Sequence, residues 1–169
     1  MVSNPSHRIT KAFLYEPGYP RCVEKKAMQK WQIDANAMFS RVFESYYAGD
    51  LKAAVEHLID GSGDQKGYFS SQKTEVKALQ ISKAHTLHKQ LNQQESPAIC
   101  KESVSKIKTS LIIAYGSNTR TLFKEVAKAT IDVSTVAEKM IVLGYGHMLP
   151  QESPLVFSEY SQSAILQRS

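Results

Sequence analysis

Apolar residues recur at spacings of three and four along most of this chain. Between Arg21 and Ala48, the residues Met28, Trp31, Ala35, Met38, Phe39, Val42, Phe43 and Tyr46 fall within an arc of about 140° on a helical wheel. Gln29, Asp34, Ser40 and Arg41 lie outside that arc, so the segment predicts one long amphipathic helix. Gly49 can end it and Asp50 can cap a shorter helix over 51–60. Asp60 to Gly67 reads as a flexible loop. Val76, Leu79, Ile81, Ala84, Leu87 and Leu91 predict a third helix over 72–93. Ser96-Pro97 suits the start of a fourth, which Cys100, Val104, Ile107, Leu111, Ala114 and Tyr115 carry to residue 115. After Gly116, the series Leu122, Val126, Ala129, Val133, Val136, Met140 and Leu143 predicts a fifth helix over 119–143. Ser153-Pro154 opens a last short one over 155–167.

These elements predict an all-α fold, a single antiparallel bundle of five or six helices. Pro5, Pro17, Gly18 and Pro20 make residues 1–20 an irregular arm that Ile9, Phe13, Leu14, Tyr15 and Tyr19 dock on the bundle. The expected organisation is an arm over 1–20, a bundle over 21–150 and a short helix or tail over 151–169.

At 169 residues, with 42% hydrophobic and 22% charged positions, the chain has the composition of a folded domain rather than a disordered one. Its longest unbroken apolar run, Leu111 to Tyr115, is far below the roughly 20 residues that cross a bilayer, so no integral membrane protein is expected. The first twenty residues lack a signal-peptide core, which predicts a cytoplasmic protein. The two cysteines, Cys22 and Cys100, have no zinc-type spacing and read as reduced thiols.

The net charge is +5 and is unevenly spread. Residues 66–108 hold eight lysines against three acids, while the rest of the chain balances. Lys73 and Lys77 stack on one helix face, and Lys101 and Lys108 on the next. This basic patch could hold anionic lipid or nucleic-acid phosphates, although it contains no arginine. His85 and His88, three apart, could reach one metal or, with Cys100, sketch a thiol-dependent enzyme site. A third ligand is missing, so no metal, cofactor or catalytic set is assigned. The Tyr145–Met148 loop could line a small pocket beside the Pro17-Gly-Tyr-Pro20 turn, with loop packing its plainer role.

Tyr46-Tyr47-Ala48-Gly49-Asp50-Leu51-Lys52-Ala53-Ala54 resembles the helix A–helix B junction of a tetratricopeptide repeat, although no second copy follows at 34 residues. The serine-rich tail from Glu152 to Ser169, ending near Ile165 and Leu166, is similar to C-terminal signals of bacterial type IV secretion effectors. That resemblance implies delivery into a host cell. The expected function is a non-enzymatic helical protein–protein interaction module. Its partner would meet the aromatic face of the first helix, Trp31, Phe39, Phe43, Tyr46 and Tyr47.

Overall fold

The run Ser110-Leu-Ile-Ile-Ala-Tyr-Gly116 decides the architecture. It is continuously apolar from Leu111 to Tyr115, with β-branched Ile112 and Ile113 in the middle, and every position from Leu111 to Gly116 is buried. A strand covered on both faces reads this way, without the alternation of a half-exposed strand. In the computed structural model, which describes residues 9–93 and 99–166, it is the middle strand of a parallel sheet.

The described elements, in chain order, are β1 (Lys11–Tyr15), α1 (Lys25–Tyr47), α2 (Leu51–Ser62), α3 (Tyr68–Ser71), α4 (Thr74–Ser82), α5 (Leu87–Leu91), α6 (Lys101–Ser105), β2 (Ser110–Gly116), α7 (Thr121–Val133), β3 (Ala137–Val142), α8 (Leu149–Glu152) and α9 (Pro154–Leu166). The sheet has the order β1-β2-β3 with both pairings parallel. Lys11 to Tyr15 run beside Ser110 to Ala114, and Leu111 to Gly116 beside Ala137 to Val142.

The all-α bundle is therefore corrected to an α/β fold. Three of its elements were misassigned. Residues 11–15 of the expected arm form β1. The predicted fourth helix is the one-turn α6 followed by β2, because a wholly buried strand also satisfies a 3–4 apolar spacing. The predicted fifth helix divides into α7 and β3. At the break, the Ser134 amide closes the last turn onto Thr130 and Ile131, and its hydroxyl accepts the Val136 N–H. The predicted third helix also divides at Lys83 into α4, a 3-10 turn over 84–86, and α5. The predicted Ser96-Pro97 helix start and residues 167–169 of the tail lie outside the described residues.

The chain forms two compact units. The sheet unit holds, of the described residues, 9–24, 99–119 and 123–166; the helical unit holds 25–93 and 120–122. In the sheet unit, alternate residues of β2 face opposite layers, as the pleat requires. Ile113 and Tyr115 pack with Ala127 and Ile131 of α7. Ala114 packs on the other face with Val142, Leu149, Val156, Phe157 and Tyr160. In the helical unit, Val42 of α1, Ala54 and Val55 of α2, Phe69 and Leu87 form the core, with Phe39, Tyr46 and Leu58 against it. Among the described residues, no helix is long and apolar enough to cross a membrane.

Candidate active site at the carboxyl ends of the strands

Open parallel sheets present their functional groups beyond the carboxyl ends of the strands, where the chain turns into the following segment. Here β1 ends in Tyr15-Glu16, β2 in Gly116-Ser117-Asn118-Thr119, and β3 leads into Gly144-Tyr145-Gly146-His147. Hydrogen bonds tie these three ends together. Ser117 N–H donates to Val142 O at 2.9 Å, Asn118 N–H to Tyr145 O at 3.0 Å, and Gly144 N–H to Ser117 Oγ at 2.8 Å. Tyr15 Oη donates to Gly146 O at 2.6 Å, which fixes the loop beside β1. Gly116 must be glycine, since a Cβ there would lie 2.1 Å from Tyr145 O.

Glu16 stands at the centre. Its side chain is fully buried, and its backbone has φ +48°, a left-handed conformation that costs a non-glycine residue energy. Such strain persists where the surroundings over-determine it, and it clusters at working sites. One carboxylate oxygen accepts Gly116 N–H at 2.9 Å. The other accepts the Thr119 hydroxyl at 2.9 Å and His147 Nδ1 at 2.8 Å. A carboxylate that only accepts requires Nδ1 to carry the proton, which leaves Nε2 as the base when the ring is neutral. The His147 ring lies flat on Phe123, with centroids 3.7 Å apart and planes 4° apart, and its side chain is 32% exposed. No hydrogen bond from a described residue occupies Nε2. Burial pushes the Tyr15 phenol well above its ordinary value, and the neighbouring Glu16 charge adds to the effect, so Tyr15 stays protonated as a donor.

The residues expected from the sequence lie elsewhere. Phe39 and Tyr46 pack against the helical core, while Tyr47 is 74% exposed. Phe43 stacks on Tyr47, 6.0 Å between centroids, and Trp31 has a buried indole N–H with no acceptor among the described residues. The helix expected to carry Lys101 and Lys108 is only the one-turn α6, so the predicted helical hairpin with Lys73 and Lys77 does not form. Lys77 donates to Ser70 O, and Lys101 pairs with Glu24. His85 Nδ1 meets Ser82 O at 3.1 Å, and His88 Nδ1 meets the Tyr46 hydroxyl at 2.6 Å, so each ring has a partner of its own. Cys100 is exposed and free. Hydrogen bonds from Ser103 hold the Cys100 thiol below its usual pKa, and burial raises that of Cys22. Among the described residues, no group of three His, Cys, Asp or Glu side chains could hold a metal.

No protein-family model matches the chain, and no curated protein does. Among solved structures it is similar to an alpha/beta hydrolase from Sphaerobacter thermophilus DSM 20745, with 15% identity and a TM-score of 0.47. The alignment covers 89% of this chain and 58% of that one, so the chain spans less than two thirds of that structure's length. The expectation of a non-enzymatic helical module is corrected by the parallel sheet: the bundle on which it rested does not form.

The Tyr145–Met148 loop does lie beside the segment that leads into the Pro17 turn. Glu16 itself gave no sequence signal beyond its place after a short apolar run.

Proposed function

We propose that His147 is the general base, and Glu16 the carboxylate that orients it, in a hydrolytic site. His147 Nε2 takes the proton of an attacking hydroxyl, thiol or water as that oxygen or sulfur adds to an acyl carbon. The proton then passes from Nε2 to the leaving group. Glu16 holds the ring in the Nδ1–H tautomer and stabilises the imidazolium that forms between the two transfers. Thr119 and the Gly116 amide hold the carboxylate in place. The observation that carries this reading is the 2.8 Å contact between a fully buried carboxylate and a part-exposed imidazole at the carboxyl ends of parallel strands.

The test is turnover of a panel of activated esters by the protein and by His147→Ala and Glu16→Gln. Loss of about 10²–10⁴-fold in His147→Ala supports the reading. Undiminished turnover in that variant, or no turnover in the parent, sinks it. Labelling with a fluorophosphonate, followed by peptide mapping, identifies the nucleophile if it is a hydroxyl. Turnover without labelling assigns the role to a thiol or water.

A further inference from the structure

Phe123 makes the second contact on His147, and the hydrolytic reading gives it no role. It is the third residue of α7 and is 9% exposed. Its ring covers one face of the imidazole, with centroids 3.7 Å apart and planes 4° apart. The chain just before it holds Glu16, through Gly116 N–H and the Thr119 hydroxyl. Gly116, Thr119 and Phe123 therefore fix both the carboxylate at Nδ1 and the surface behind the ring.

The stack is unlike other aromatic contacts of the sheet unit. Phe13 and Tyr15 meet Phe157 edge-on, at 65° and 86°, with centroids 5.9 and 5.7 Å apart. Neutral rings favour such geometry, because each has a negative face and a positive edge, and two faces laid together repel. A face-to-face pair gains when one ring is a cation, since the negative face of the other then attracts it. His147 is the ring that becomes a cation in the hydrolytic reading, while it carries the proton between nucleophile and leaving group. Glu16 meets that cation at the ring edge, and Phe123 meets it across a face.

We infer that Phe123 is a positioning residue for this base, which holds the ring plane and stabilises the imidazolium against its π face. The inference rests on the hydrolytic reading, since it concerns the imidazolium that proton transfer creates. An attraction that grows as the charge develops lowers the barrier and leaves substrate binding alone, so it acts on kcat and not on KM.

Ester turnover by the parent, by Phe123→Leu and by a protein with pentafluorophenylalanine at position 123 tests it. Leucine keeps an apolar side chain without a π face. The fluorinated ring keeps the shape and reverses the charge of the face. Each should lower kcat about tenfold and leave KM within about twofold of the parent. If Phe123→Leu fails to fold, the fluorinated protein, of nearly the same shape, carries the test. The Hδ2 and Hε1 protons of His147 should be shifted upfield by the Phe123 ring in the parent and return to ordinary positions in Phe123→Leu, which reports the stack in solution without turnover. A parent lacking that shift overturns the inference. So does parental kcat in the fluorinated protein, because packing alone would then account for the stack. A parent that turns over no ester sinks the hydrolytic reading and the inference with it, whereas turnover that the fluorinated ring leaves unchanged sinks the inference alone.

Discussion

Each unit holds a carboxylate in a similar cradle, and the difference between the cradles separates the group we propose as working from a structural one. In the sheet unit, Glu16 accepts a backbone N–H and a histidine. In the helical unit, Asp34 accepts Leu122 N–H at 2.8 Å and the Arg120 guanidinium at 2.6 Å. A guanidinium keeps its proton at any pH a protein meets, so the Asp34–Arg120 pair can only pin its elements together. An imidazole exchanges protons near neutrality and offers a second nitrogen. Buried carboxylates alone therefore do not mark a site; the proton chemistry of the partner does.

The sharpest test of the contrast is removal of the cation from the structural pair. Arg120→Ala leaves Asp34 partly buried without its ion partner and should cost about 3 kcal/mol, read by urea unfolding. The pair also gives a pH signature. Burial opposes the Asp34 carboxylate, but hydrogen bonds from Arg120 and from Leu122 N–H outweigh it and lower its pKa from 3.8. A depressed folded-state pKa contributes stability above the unfolded value, lost as pH falls through the folded one. Asp34→Asn should therefore flatten the acid side of the stability curve below about pH 4. An unchanged acid limb would remove the pair from its structural role.

A second variant attacks the sheet unit without touching a titratable group. Gly116→Ala places a methyl against Tyr145 O and must shift the loop that carries His147. The expected cost is about 2 kcal/mol, from overpacking against backbone. Ester turnover should fall with it, by more than the lost stability explains. If turnover survives, the three strand ends are not the frame of the site.

The smallest expected effect is local. Asp50 caps α2 by accepting Ala53 N–H at 2.9 Å, and Asp50→Ala should cost about 1 kcal/mol. Ester hydrolysis should be unaffected. A larger loss would mean that the α1–α2 turn supports more than its own helix.

Legibility in the sequence followed the range of the contacts. The α1–α2 hairpin was readable, because its causes lie within a few residues. Gly49 adopts φ +81°, and Asp50 reaches only to Ala53. The predicted helix over 21–48 corresponds to Lys25–Tyr47. Strand β2 was not readable as a strand, because Leu111, Ile112, Ile113 and Ala114 look alike on a helix and on a sheet buried on both faces. β1 was hidden by the prolines around it, and its partner is a hundred residues distant.

Apolar spacing and turn chemistry in the chain by themselves determined where α1 and α2 run, that Asp50 caps α2, and that Gly144 to Met148 form a loop carrying a histidine. Only the tertiary structure decided that Glu16 meets His147, 131 positions later, and that Arg120 meets Asp34. The reason is physical: helices and turns are set by hydrogen bonds to near neighbours, whereas a parallel sheet pairs distant segments whose proximity no local pattern encodes.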